Sequence, residues 1–232
     1  MKCWICDDEA KSGEHIIKAS DVKAVFPNVS QKKPLFLRID KNDSSIKAIG
    51  SKNSRKLKSN ILICANCNNV KTAPHDRAWE KLSRYLREKN PPIKFKDIIK
   101  LNKVFPGKTK KSMLDIHLFF LKLFGCAILE QSVPINIDSF SEAIIWQKPH
   151  PLVHLAFAPA LSFSKKLVGV TKIKYQINKG ECIYATWFYI IDAILVKITY
   201  AREHESRKGL NYSWHPTTIT KRIHIGQVQY IF

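Results

Sequence analysis

The chain has 232 residues, 45% of them hydrophobic and twelve of them Phe. That is enough apolar material to close a core, which excludes a disordered polyelectrolyte. Its 39 Lys and Arg stand against 19 Asp and Glu, a formal charge of +20; residues 1–112 carry 26 against 11, or +15, and the remainder carry 13 against 8, or +5. The partner of the N-terminal half is therefore expected to be polyanionic. DNA and RNA satisfy that equally, and an anionic membrane surface fits less well because no Lys-rich amphipathic helix with a broad apolar face is evident. Solubility alone is the bland reading of such a surface. Met1 is followed by Asp7-Asp8-Glu9 rather than by an apolar leader, so a cytoplasmic location is expected. The apolar stretches at residues 114–129 and 183–198 are broken by Asp115, His117 and Lys122 and by Asp192. Both fall short of the roughly 18–20 residues of a spanning helix, so no membrane segment is expected.

In chain order, Cys3-x-x-Cys6 comes first, and Ser12-Gly13 reads as a turn that makes Trp4-Ile5 and residues 14–17 the arms of a hairpin. Residues 19–60 form an insertion rich in Lys, Ser and Asn, with strands expected at residues 34–39 and 46–49. A short apolar strand at residues 61–63 runs into Cys64-x-x-Cys67, and residues 66–89 have helical character with Ala78, Leu82, Tyr85 and Leu86 on one face. Pro74 predicts a kink or restart there, with Thr72 as cap and Asp76 in the new first turn. Asn90-Pro91-Pro92 ends that helix. Residues 93–112 read as a Lys-rich connector and residues 112–130 as a helix with Leu114, Leu118, Leu121, Phe124 and Ile128 in a buried stripe. Strands are expected within residues 153–157, 168–177, 181–200 and 217–228, with a hairpin turn at Asn178-Lys179-Gly180. The class is α+β, with an N-terminal module over residues 1–92 and a helix plus mostly antiparallel sheet over residues 93–232.

Of the six cysteines, Cys126 and Cys182 sit singly among apolar neighbours and read as core residues. The two CxxC pairs, in a reducing compartment, favour a metal over a disulfide. Cys3, Cys6, Cys64 and Cys67 suit a closed tetrahedral zinc site, which is structural because four thiolates leave no open position.

Cys3-Trp-Ile-Cys6, Glu14-His15-Ile-Ile and Leu62-Ile-Cys64-Ala-Asn-Cys67-Asn68-Asn69-Val-Lys71-Thr72 together resemble zinc-containing HNH (ββα-metal) endonucleases over roughly residues 1–80. The resemblance implies a ββα-metal module in which an acidic residue and His end the first strand, an Asn follows the second CxxC, and the two halves clasp one divalent ion. Phosphodiester hydrolysis needs a base, an ion to neutralise charge and cations to hold the backbone. His15 suits the base, while Glu14 and Asn68 supply hard oxygens for Mg²⁺ or Mn²⁺, with Asn66 and Asn69 as weaker alternatives. Glu14 and His15 alternate across a strand, so a bulge is needed to bring both to one ion. Asn68 also suits a helix cap. His75 and Asp76 lie two turns beyond Asn68; a break at Pro74 would let that pair supply an extra ligand or contact phosphate, and capping by Asp76 is the plainer account. The stretch between His15 and the second CxxC is longer than in compact modules, and only Gly50 and Asn60 represent the usual glycine-rich link. In that insertion Lys52, Arg55, Lys56 and Lys58, with Lys47 beside them and Lys71 further on, suit phosphate contacts.

The resemblance thus implies an endonuclease acting on nucleic acid, DNA first, with Zn²⁺ and Mg²⁺ or Mn²⁺. It also implies a setting in mobile elements or antiviral defence, with an ATPase as a possible protein partner. The alternative is a zinc-stabilised nucleic-acid-binding or adaptor protein that cuts nothing, and a basic structural subunit is the third reading.

Overall fold

The computed structural model describes residues 1–37, 47–160, 167–205 and 207–227. The first part contains β1 (Ser12–His15), α1 (Ala19–Val25), β2 (Leu35–Leu37), β3 (Lys47–Ile49) and β4 (Lys58–Ile63). β1 pairs antiparallel with β4 and not with Trp4-Ile5, which corrects the expected hairpin. The reason lies in the cysteine loop: Cys3 N–H donates to Asp8 O at 2.8 Å and Asp7 N–H to Cys3 O at 2.9 Å, so the backbone around Trp4-Ile5 is engaged in a tight turn about the sulfurs. β2 and β3 are the two arms expected in the insertion and pair with each other; Arg38, Ile39 and Ile46 lie outside the described residues. α1 was not expected from its polar sequence. Buried Asp21 holds it through bonds from Trp79 Nε1 at 2.7 Å and Tyr189 Oη at 2.6 Å, long-range contacts that override weak local propensity.

After Cys67 the chain makes a π turn over Cys67–Lys71 and restarts at Thr72 as α2 (Ala73–Glu88), with Pro74 in its first turn as expected. Thr72 does not cap it: its hydroxyl donates to Cys67 O at 2.8 Å. Ala78, Trp79, Leu82 and Leu86 form the buried face. The expected connector carries β5 (Ile98–Lys100), α3 (Leu101–Val104) and the first turn of α4 (Thr109–Glu130). α5 (Asp138–Ile145), which the sequence reading did not separate, leads to β6 (Val153–Pro159), β7 (Val168–Val170), β8 (Lys174–Asn178), β9 (Glu181–Ile191), β10 (Ile194–Ala201) and β11 (Arg222–His224).

The main antiparallel sheet runs β6-β10-β9-β7, with β8 also on β9. Lys179 and Gly180, at φ 49° and 82°, form the two-residue turn between β8 and β9. β11 leaves that sheet to pair with β5, and Val228, in the expected last strand, lies outside the described residues. α4 is the centre of the molecule. It packs on α2, β1 and β4 from the N-terminal part and on α5, and Phe124 stacks on Trp187 of the sheet at 6.1 Å. The large buried cluster extends from Cys3 to Ile225, across the boundary expected at residue 92. Among the described residues α4 is one helix long and apolar enough to cross a membrane, longer than the interrupted sequence pattern predicts; here it is mostly buried within the protein.

Candidate metal centre and active site

The four CxxC thiols come together from opposite ends of the N-terminal part, their sulfurs all within 4.8 Å of one another. Cys6 Sγ is 3.5 Å from Cys64 Sγ and 3.4 Å from Cys67 Sγ. Four sulfurs each about 2.3 Å from one ion stand roughly 3.8 Å apart, so this cage is close to tetrahedral metal geometry. The Cys67 amide donates to Cys64 Sγ at 3.2 Å, a bond that favours thiolate over thiol. Burial pushes the Cys6 thiol up to about 11 and raises Cys67 as well. Thiolates packed this closely need a cation among them, and the donor set fits a structural metal ion. Cys126 and Cys182 are buried singly, as expected.

The strand that leaves this cage delivers the second cluster. The β1–β4 register shifts between Gly13 and His15, the irregularity that the Glu14-His15 pair was expected to need. Glu14 is buried and its Oε2 lies 3.0 Å from Lys122 Nζ, an ion pair by distance rather than a directed hydrogen bond. Lys122 is wholly buried on α4 and also reaches Thr72 Oγ1 at 3.0 Å and Asp76 Oδ1 at 3.5 Å. Lys18 stands 3.4 Å from Asp76 Oδ2 and 3.3 Å from Glu80 Oε1. Asp76 makes no cap bond in α2, so its expected capping role is corrected: its oxygens turn to the two ammonium groups. Burial opposes the Lys122 charge, but Glu14 and Asp76 more than offset it and hold the ammonium above its usual range. Burial raises the Glu14 carboxyl against the pull of Lys122.

His15 is half-buried opposite Lys58, and its Nε2 is buried with no hydrogen-bond partner. Burial lowers its pKa below the usual 6.5, and the Lys58, Lys18 and Lys122 charges lower it further. A neutral imidazole with an unpartnered ring nitrogen has the chemistry to take a proton from a group that reaches it. Asn68 Nδ2 donates to Ser12 Oγ at 2.7 Å at the start of β1, so the side chain staples the π turn to the strand and does not cap α2. That bond uses the amide nitrogen, leaving the oxygen a metal would need. Asn66 and Asn69 are exposed.

No family model, curated protein or solved structure matches the chain. The chemistry of the site therefore rests on its own residues. His75, next to Asp76, turns the other way: Nε2 lies 3.0 Å from Gln147 Oε1 and 3.8 Å from Asp115 Oδ1, and it takes no part in the Glu14 cluster. Lys52, Arg55 and Lys56 are exposed, with Lys56 Nζ donating to Ala48 O at 3.0 Å, whereas Lys58 and Lys71 are half-buried. The residue of this cluster that sequence reasoning missed is Lys122. Its signal was present as a charge interrupting an otherwise apolar helical stripe, which is where a buried, paired cation has to appear.

Proposed function

We propose that the protein is a metal-dependent nuclease of the HNH kind, with zinc on Cys3, Cys6, Cys64 and Cys67 holding β1 to the start of α2. His15 carries the reading: it is a neutral base with an unpartnered buried nitrogen on the strand that the metal cage anchors. In this mechanism His15 takes the proton from the attacking water. Glu14, Asp76 and the Asn68 oxygen would be the hard donors for Mg²⁺ or Mn²⁺, an ion that would supply neutralisation of charge on the scissile phosphate. Exposed Lys52, Arg55 and Lys56 hold the polynucleotide, DNA first, by its phosphates. A cytoplasmic role in antiviral defence beside an ATPase partner fits such an enzyme.

A second reading is favoured by Lys122. An ammonium between Glu14 and Asp76 already neutralises the carboxylates that would attract the ion, as suits a zinc-stabilised nucleic-acid-binding protein that cuts nothing. One set of assays separates the two. The purified chain should contain one zinc and cut plasmid with Mn²⁺ or Mg²⁺. His15→Ala should keep zinc, fold and DNA affinity and lose about 10²-fold or more in rate. Because only neutral His15 works as the base, the rate should fall on acidification with a midpoint below 6.5. Cutting by His15→Ala at the parent rate refutes the mechanism, and binding without any cutting selects the second reading.

A further inference from the structure

β5 and β11 form a two-stranded ribbon apart from the main sheet. Ile99 and Ile223 pair on its buried side, so Lys100 opposite Arg222 faces outward, and both are exposed. Two like charges directly opposite across strands destabilise the pair, so the fold itself gains nothing from this arrangement. At the end of the ribbon, where Ile225 N–H donates to Asp97 O at 2.8 Å and Lys96 N–H to Ile225 O at 2.9 Å, two aromatic rings stand at the surface. Phe95 is 37% and Tyr212 46% exposed, edge to face with centroids 5.7 Å apart. The Lys96 ammonium lies 5.5 Å over the Phe95 ring.

Presenting those groups is strained. Lys96 and Tyr212 both take left-handed backbone, at φ 70° and 61°, which a bulky side chain adopts only where its surroundings impose it. Gly226 makes room for the tyrosine: a Cβ there would meet Tyr212 Cβ at 2.8 Å. The surrounding sequence is one-sided in charge. Residues 94–111 contain seven Lys and one acidic residue, Asp97, whose Oδ2 is taken by Lys89 Nζ at 3.2 Å and Lys94 N–H at 3.1 Å. Residues 207–227 contain no Asp or Glu.

Exposed aromatic rings beside Lys96, on the ribbon that also carries the outward Lys100 and Arg222, match one ligand chemistry, an unpaired polynucleotide strand, whose bases offer π-faces between phosphates. A duplex offers the phosphates but keeps its base faces stacked. We propose that this face binds single-stranded nucleic acid, with bases stacking on Phe95 and Tyr212 and phosphates meeting Lys96, Lys100 and Arg222. The inference rests on the nucleic-acid part of the preceding reading and not on cleavage.

The test measures binding of single-stranded DNA, single-stranded RNA and a duplex of the same sequence to the full chain carrying His15→Ala, so that cutting does not intervene. Tyr212→Ala or Phe95→Ala should weaken single-strand binding about tenfold, the scale of losing one stacked base, and leave duplex binding unchanged. Tyr212→Phe should retain it, and Lys100→Ala with Arg222→Ala should flatten the salt dependence without touching the rings. Preference for DNA, preference for RNA or equal binding each supports the face and identifies its strand. The proposal is overturned by unchanged single-strand binding in both aromatic variants, by an equal loss on duplex, or by Tyr212→Phe failing like Tyr212→Ala. If the aromatic variants unfold, unchanged salt dependence in the charge variant overturns it. A parent that binds no polynucleotide at all sinks the wider reading too, whereas normal binding with the aromatic rings dispensable sinks this face alone.

Discussion

Five residues apart on α4, Lys122 and His117 anchor two buried polar clusters that solve the same problem differently. Both side chains are fully buried, and their positions point roughly 140° apart around the helix. Around Lys122 the charges are kept and matched: Glu14 and Asp76 flank the ammonium, and Lys18 closes on Asp76. Around His117 the charges are avoided. His117 Nε2 accepts from His150 N–H at 3.0 Å, His150 Nδ1 from Leu152 N–H at 3.2 Å, and His215 Nδ1 from Thr217 N–H at 3.4 Å, which fixes each ring as a neutral acceptor. The His117 and His154 rings lie 5.1 and 5.4 Å from that of His215. A matched cluster can lend its charges to chemistry. A neutral one serves packing and is vulnerable to protons.

The largest way to break the comparison is to unmatch the first cluster. Lys122→Met removes the only fully buried ammonium among the described residues and leaves Glu14 and Asp76 facing each other with Lys18 alone, which should cost about 3–5 kcal/mol in denaturant unfolding. If the two carboxylates also form a cation position, Mn²⁺ should restore more stability to Lys122→Met than to the parent. A loss below about 1 kcal/mol would mean the charges are not matched as described.

Those two clusters also mark what the sequence made legible. Asp115, His117 and Lys122 were visible as breaks in an apolar run, but a single sequence does not say which distant carboxylate or ring each break meets. The cysteine cage was readable because two CxxC pairs carry their own geometry, and the restart at Pro74 because proline acts locally. The β1–β4 pairing, α1 and the ion pairs of Asp76 were not readable. Each depends on long-range partners: β4 across the insertion, Trp79 and Tyr189 on Asp21, and Lys122 on Asp76.

The second cluster is broken by acid. Burial first, and then the neighbouring imidazoles, lower His117 well below its usual value and bring His150 to about 4, while burial alone lowers His215 against a backbone bond with His150 that raises it. Unfolded, these rings titrate near 6.5, so between there and the folded values the unfolded chain binds more protons. Their contribution is full above pH 6.5 and is lost progressively as pH falls toward 4, about 3 kcal/mol from His150 alone. Buried Glu14 and Asp21, whose carboxyls are raised by burial, act in the opposite direction at the acid end. Denaturation measured from pH 7 to 4.5 should show His150→Gln with a shallower acid decline than the parent. Parallel curves would show that His150 does not titrate with folding.

The smallest effect tests whether shape as well as charge holds the Lys122 side of α4. Gly125 lies one turn beyond Lys122, and a Cβ built there meets Trp4 Cη2 at 2.6 Å and Cζ2 at 2.8 Å, so the first CxxC loop lies directly on the helix backbone. Gly125→Ala gains up to about 1 kcal/mol in helix propensity and costs about 1–3 kcal/mol in overpacking, because the indole edge has to move. The net expectation is a loss near 1 kcal/mol, with faster amide exchange around Cys3 and Cys6 and no change at the His117 cluster. Trp4→Leu combined with Gly125→Ala should recover part of that loss in a double-mutant cycle, since the smaller side chain vacates the space the methyl enters. A stabilised Gly125→Ala single variant would show that the loop rides loosely on α4, leaving the ion pairs as the principal tie between the cysteine module and the core.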